Sequence, residues 1–135
     1  MRLNLDHIGQ IGFAVADIDR AELFYERIVG LRKLYRFDDL VFFDCAGVRL
    51  MLGRSDDPEA VARASALYFR CADIGLAQAE LEKRGAVFDG PPHRVAPMED
   101  HDLWMSFFHD PDGHVLALMC EAPKNYQPAG GVVPN

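Results

Sequence analysis

The chain has 135 residues, half of them hydrophobic, and a formal net charge of −7. This acidic balance disfavours nucleic acid and anionic lipid as partners, and no apolar run reaches the roughly 20 residues of a membrane-spanning helix. Three cysteines without CxxC spacing, and a start without an apolar secretory segment, predict a reduced, cytoplasmic protein.

The first half of the chain predicts one strand, one helix and three further strands. An apolar run from Gln10 predicts the first strand, and an amphipathic helix follows Asp17 and ends at Gly30. A two-residue turn at Ala46-Gly47 predicts a hairpin. The three later strands are predicted at Arg32–Phe37, Leu40–Cys45 and Val48–Leu52.

The second half repeats this order. The segment from Ala66 again passes through A-D-I into a helix that ends at Gly85, and Asp73 follows Asp17 by 56 residues. Duplication explains this offset better than coincidence. Strands are predicted at Ala86–Asp89, Leu103–His109 and His114–Cys120. We therefore predict a single domain over residues 1–121, with modules at about 6–53 and 66–121, a linker at 54–65 and a flexible tail at 122–135.

Three motifs, in this order, resemble the vicinal oxygen chelate superfamily, which includes glyoxalase I, bleomycin-resistance proteins, extradiol dioxygenases and methylmalonyl-CoA epimerase. They are QIGFAVADI (Gln10–Ile18), FYERIVGL (Phe24–Leu31) and DPDG (Asp110–Gly113). The resemblance spans about residues 6–121. It implies an α+β fold in which two paired βαβββ modules form a barrel-like cleft, and it implies a homodimer.

The resemblance also implies where a metal would bind, because the metalloenzymes of the family take His, Gln or Glu ligands from the first and last strand of each half. These positions fall at Gln10, Met51, Ala66 and Ala117. Only Gln10 carries a donor, and a divalent ion needs several. We therefore predict no metal at the family's usual site and no cofactor, with a divalent metal possible only at a relocated site.

Strand alternation then predicts which side chains face the family's cavity. The prediction pairs Cys45 with Val48 and His109 with His114 across the two hairpins. An aromatic pocket of this kind suits a flat ligand with an anionic group, although the aromatics can equally form core. The predicted ligand-binding residues are Gln10, Phe42, Arg49, Met51, Tyr68, Arg70, Trp104, Ser106, Phe108 and Met119.

The two arginines of this set have alternative interpretations. Arg49 and Arg70 can recognise a carboxylate. Arg49 can instead pair with Asp44 across the hairpin.

A cluster of polar residues precedes the next-to-last strand. His101 is a candidate general base, tuned by Glu99 or Asp100. The segment can also form a relocated metal site from His93, Glu99, Asp100 and His101. The alternative is a solvated acidic loop. His109 and His114 are predicted to be exposed partners beside a turn.

Three functions remain open at this point. The first is a metal-free protein that binds an aromatic or amphipathic small molecule, as bleomycin-resistance proteins do. The second is a glyoxalase-like lyase or dioxygenase-like enzyme with a relocated metal or a metal-free acid–base site, and Gln10, Glu99 and His101 are its candidate residues. The third is an accessory module that makes only protein contacts. Fold alone does not choose among them.

Overall fold

A computed structural model describes residues 2–4, 6–128 and 130–131 of the chain. The fold consists of two compact units, one ending at Ala64 and the other beginning at Ser65. Each unit contains one four-stranded mixed sheet. Within the part of the chain that the structure describes, no helix is long and apolar enough to cross a membrane.

The first unit has the order strand, helix, three strands, short helix. Its first and last strands are parallel neighbours, and the other pairings are antiparallel, so that the sheet order is β1-β4-β3-β2. The elements are β1 (Gln10–Val15), α1 (Ile18–Leu23) with a π-helical continuation (Phe24–Val29), β2 (Arg32–Phe37), β3 (Leu40–Cys45), β4 (Val48–Arg54) and α2 (Pro58–Ala62).

Local sequence explains the ends of the first helix. The side chain of Asp17 accepts a hydrogen bond from the backbone N–H of Arg20 at 3.1 Å, which caps α1. The helical segment ends at Gly30, whose φ of 88° lies in the left-handed region that glycine adopts without strain. Phe13 and Val15 of β1 are buried together with Ile18 of α1, so the helix covers one face of the sheet.

The second unit repeats this topology, with sheet order β5-β8-β7-β6 and a parallel β5–β8 pair. The predicted α+β fold built from two repeated strand–helix–three-strand units is therefore confirmed. The elements are β5 (Leu67–Arg70), α3 (Ile74–Lys83), β6 (His93–Pro97), β7 (Asp102–His109) and β8 (Val115–Ala122).

The prediction of a strand at Ala86–Asp89 is wrong. Phe88 forms only an isolated bridge with Phe108, and the strand beside β7 is His93–Pro97. Pro91 and Pro92 explain the shift, because proline has no N–H to donate to a sheet ladder. Regular pairing therefore begins after the two prolines.

The segment after β8 makes specific contacts where a flexible tail was predicted. Lys124 Nζ lies 3.0 Å from a carboxylate oxygen of the buried Asp102. The Tyr126 hydroxyl hydrogen-bonds to Asp73 and accepts from the backbone N–H of Gly75 at 3.0 Å. Residues 122–128 thus belong to the second unit, whereas 129 and 132–135 lie outside the described residues.

Candidate functional site

One face of the first sheet carries a cluster that we call the Arg49 face, formed by Gln10, Tyr35, Phe42, Arg49 and Met51. The strand register places these residues on one side, since Gln10 pairs with Arg49 and Phe42 pairs with both Met51 and Tyr35. The alternating positions Leu50 and Leu52 are buried on the helix side. The pairings Cys45–Val48, Asp44–Arg49 and Phe42–Met51, predicted from the hairpin turn, are confirmed.

Arg49 is held in position by two aromatic side chains. Its guanidinium carbon lies 5.7 Å from the centre of the Phe42 ring, within cation–π range. Its Nη1 donates to the Tyr35 hydroxyl at 3.3 Å. The Tyr35 and Phe42 rings lie 4.6 Å apart and are tilted by 31°. These contacts orient the guanidinium without neutralising it.

The predicted pairing of Arg49 with Asp44 does not form, although the two residues are opposite each other. Asp44 uses one carboxylate oxygen for the backbone N–H of Gly47 at 3.1 Å and the other for Arg32 at 3.3 Å. No carboxylate of the described residues lies within 4.0 Å of the Arg49 guanidinium. Arg49 is therefore an exposed cation that can still bind an anion.

Gln10 lies beside Arg49 on the same face. Its amide Nε2 contacts the Met51 sulfur at 3.6 Å, a weak hydrogen bond to a soft acceptor. The Gln10 amide adds a polar group beside the aromatic side chains, and the Met51 thioether adds an apolar one. The face thus combines a flat apolar floor, one cation and one neutral hydrogen-bonding group.

The equivalent surface of the second sheet is the Tyr68 face, formed by Tyr68, Arg70, Met105, Phe107 and Met119. Tyr68 and Arg70 pair with Ala117 and Met119. The Tyr68 and Phe107 rings meet edge to face at 6.3 Å. Arg70, unlike Arg49, contacts a carboxylate, since its Nη2 lies 3.5 Å from Glu121.

The predicted pairing of His109 with His114 is wrong. Trp104, Ser106 and Phe108, which were predicted to face the cavity from this pairing, lie on the helix side of the sheet instead. His109 pairs with Val115, so Met105 and Phe107 share a face with Met119. Trp104, Ser106 and Phe108 are buried. Ser106 still lines a pocket of about 290 Å³ beside Phe107 and His93, and its hydroxyl has no partner among the described residues.

The loop between β7 and β8 explains this register. Asp110 accepts hydrogen bonds from the backbone N–H groups of Asp112 and His114, both at 2.9 Å, and its second oxygen contacts His114 Nδ1 at 2.7 Å. These bonds draw His114 into the loop, which becomes one residue longer than predicted. His114 is buried, and the prediction of an exposed partner is wrong.

The same loop brings together possible metal ligands, since oxygen and nitrogen atoms of Asp110, Asp112 and His114 lie within 4.8 Å of one another. The Asp110 and His114 atoms already satisfy each other and the loop backbone, which is a structural role. A divalent metal at a relocated site stays a prediction.

The four positions that the family resemblance assigns to a metal do not fit one. Gln10 contacts Met51, and the second unit offers only methyl groups at Ala66 and at the buried Ala117. A single amide cannot hold a divalent ion.

His101 and Glu99 lie in the tight turn between β6 and β7, where the backbone N–H of Met98 donates to the His101 carbonyl at 2.8 Å. His101 Nδ1 lies 2.7 Å from the Asp100 carboxylate, so the structure pairs this histidine with Asp100. That hydrogen bond holds the pKa of Asp100 below its usual value. Gln10, the third candidate of the enzyme hypothesis, belongs to the first unit.

The three thiols are poor nucleophiles. Burial raises the pKa of Cys71 to about 11 and also raises the pKa values of Cys45 and Cys120. All three therefore stay protonated at neutral pH.

The sequence profile of the Glyoxalase/Bleomycin resistance protein/Dioxygenase superfamily matches residues 5–126. The chain belongs to this superfamily. A comparison with curated proteins gave no match.

Solved structures share the fold. An integron cassette protein from the mobile metagenome of V. cholerae has a TM-score of 0.72 at 18% identity, covering 89% of this chain and 98% of its own. Lactoylglutathione lyase from Agrobacterium tumefaciens has a TM-score of 0.67 at 21% identity, covering 84% and 92%. TnmS3, an antibiotic binding protein from a Streptomyces species, has a TM-score of 0.66 at 24% identity, covering 91% and 100%. At these identities the similarity establishes the fold alone.

Proposed function

We propose that this superfamily member is a metal-independent binding protein for a planar organic anion, which it recognises on the Arg49 face. One observation carries the proposal: the Arg49 guanidinium is oriented by Phe42 and Tyr35 and has no carboxylate partner among the described residues. An oriented cation above an aromatic floor is suited to a flat carboxylate or phenolate.

The composition of the face supports the ligand class. Tyr35 is 48% exposed and provides apolar contact area for a ring system beside the buried Phe42, and Gln10 provides a neutral group that can bind a carbonyl or hydroxyl. TnmS3, which shares the fold, is an antibiotic binding protein. That similarity supports small-molecule binding as a role. The class of the ligand is inferred from the chemistry of the Arg49 face.

The experiment is calorimetric titration of the full chain with 1-naphthoate and with neutral 1-naphthamide. We expect the carboxylate to bind more tightly, and we expect Arg49→Gln to weaken its binding about tenfold, the loss of one charge-assisted contact. Arg27→Gln is the matched control, because it removes the same charge from the exposed helical surface of the same unit. Equal weakening by both variants, or equal affinity for both probes, would contradict the proposal.

A second candidate function is acid–base catalysis by His101, and the 2.7 Å hydrogen bond to Asp100 is the observation that favours it. Such a pair can orient an imidazole as a general base. Exchange of deuterium from the α-carbon of a bound hemithioacetal, measured with and without His101→Gln, tests this candidate. Exchange that is the same in both proteins rejects it.

The homodimer implied by the family and a cytoplasmic location stay predictions. Light scattering on the purified full chain distinguishes a mass near 15.1 kDa from twice that value.

A further inference from the structure

A second cavity lies on the helix side of the second unit. It has a volume of about 400 Å³ and lies between one face of α3 and the segment 88–92. We call it the α3 pocket. Its lining includes Gln78, Ala79 and Glu82 from the helix and Phe88 and Pro91 from the segment. Phe88 stacks on Phe108, a helix-side residue, with ring centres 4.7 Å apart. The α3 pocket therefore lies on the helix side of the sheet, and it adjoins the smaller pocket lined by Ser106 and Phe107 at Gly90 and Pro91.

The α3 pocket contains a buried acceptor without a partner. Gln78 is 6% exposed, and its Nε2 donates to the carbonyl of Gly90 at 2.9 Å. This bond fixes the orientation of the amide, and its Oε1 has no hydrogen-bond partner in the described structure. A buried carbonyl oxygen without a partner is costly, so a bound donor here is favourable.

The second polar group is a carboxylate. Glu82 lies one helical turn after Gln78, on the same side of α3. Among the described residues no Lys, Arg or His nitrogen lies within 4.0 Å of its oxygens. The pocket thus offers one neutral and one anionic acceptor on adjacent turns.

Donors are scarce around these acceptors. Pro91 and Pro92 have no N–H, the N–H of Gly75 already bonds to Tyr126, and no Lys, Arg, His or hydroxyl side chain is among the described lining residues. The walls otherwise consist of Ala79, Phe88, Gly90 and the two prolines. Such a lining repels an anion and accepts a cation that carries an apolar body.

We propose that the α3 pocket binds an organic ammonium ion, with the N–H groups of the amine directed to Gln78 and Glu82 and the apolar body against Phe88 and Pro91. This site is independent of the Arg49 face, since it selects the opposite charge and lies in the other unit. The two proposals can therefore fail separately.

The test is an amide chemical-shift titration of the ¹⁵N-labelled full chain with 2-phenylethylamine and with neutral 2-phenylethanol. We expect saturable shifts at Gly75, Ala79 and Gly90, with the amine binding about fivefold more tightly than the alcohol. Glu82→Gln should lower the affinity for the amine to the affinity for the alcohol. Glu80→Gln, which removes the same charge from α3 outside the pocket lining, should leave the amine affinity unchanged.

A filling variant provides a second readout. Ala79 is exposed within the pocket lining, so Ala79→Leu suits the helix and occupies the cavity. It should abolish the shifts of both compounds while the spectrum keeps the dispersion of the folded chain. Equal affinities for amine and alcohol, equal effects of the two glutamate variants, or shifts that persist in Ala79→Leu would overturn the proposal.

Discussion

The β3–β4 turn and the β7–β8 loop connect equivalent strands in the two units but contain different numbers of residues. Two residues, Ala46 and Gly47, separate the paired Cys45 and Val48. Five residues separate the paired His109 and Val115. A tight turn fixes the register through its own backbone geometry, whereas the longer loop is shaped by the side chain of Asp110.

The length of each connection determines which side chains lie on the face away from the helix. In the first unit the register leaves Phe42 and Arg49 on the face away from the helix. In the second unit the loop has five residues instead of the four that the sequence predicts. The register that results places Trp104 and Phe108 on the helix side and leaves Phe107 on the other face. One loop residue therefore exchanges the two faces of a strand.

The largest expected effect concerns the face of β7. Trp104 is fully buried, so Trp104→Ala should lower the free energy of unfolding by about 4 kcal/mol. Tyr68 is 50% exposed on the opposite face, so Tyr68→Ala should cost below about 1 kcal/mol. Urea denaturation measures both values. Similar losses in the free energy of unfolding for the two variants would contradict the assignment of the two faces of β7.

The next effect concerns the loop itself. Asp110→Asn keeps the size of the side chain but removes the charge that contacts the buried His114, and it should cost about 2 kcal/mol. Asp44→Asn, in the equivalent turn, changes a more exposed residue and should cost about 0.5 kcal/mol. Equal costs in thermal unfolding would show that the loop does not depend on the buried Asp110–His114 contact.

A smaller effect is expected at the tight turn between β3 and β4. Ala46 has a φ of 51° and Gly47 a φ of 96°, the left-handed geometry of a type I′ turn. Asparagine tolerates this geometry better than alanine, so Ala46→Asn should stabilise the protein by about 0.5 kcal/mol. An unchanged or lower melting temperature would argue against this turn.

The smallest effect concerns the segment that follows β8. The hydrogen bond from Tyr126 lowers the pKa of Asp73, and burial raises the pKa of Tyr126 to about 12. The stabilisation linked to Asp73 is complete above its usual pKa of 3.8 and disappears as the pH falls through the lowered value. The stabilisation linked to Tyr126 is complete below its usual pKa of 10.0 and disappears as the pH rises towards 12.

Tyr126→Phe removes both contributions. The melting temperature of the wild type should therefore exceed that of the variant by a constant amount from pH 5 to 9, and the difference should shrink at both extremes. A difference that does not vary with pH would contradict this linkage, and no difference at any pH would mean that Tyr126 acts only through the packing of its ring on Trp104, which phenylalanine keeps.

The fold was predictable because its signals are local. Asp17 and Asp73 each begin a helix, Gly30 ends one, and the A-D-I repeat marks the duplication. The register of β3 and β4 was also predictable, since Ala46-Gly47 permits only a short turn. These features depend on neighbours in sequence.

The register of β7 was not predictable, because both of its faces are apolar. Leu103, Met105 and Phe107 alternate with Trp104, Ser106 and Phe108, so alternation does not identify the buried side. The missing information was the ability of Asp110 to hold His114 in the loop, and the D-x-D-x-H spacing is the signal that indicates it. Tyr35 as a partner of Arg49 was missed as well, since it depends on the bulged β2–β3 pairing.

The proposed function requires that the Arg49 face binds a planar anion. The most direct measurement is an amide chemical-shift map of the ¹⁵N-labelled chain during titration with 1-naphthoate, in the wild type and in Arg49→Gln. We expect saturable shifts centred on Gln10, Phe42 and Arg49 in the wild type, and their loss in the variant. Shifts of equal size in both proteins, or no saturable shift on the first sheet, would contradict it.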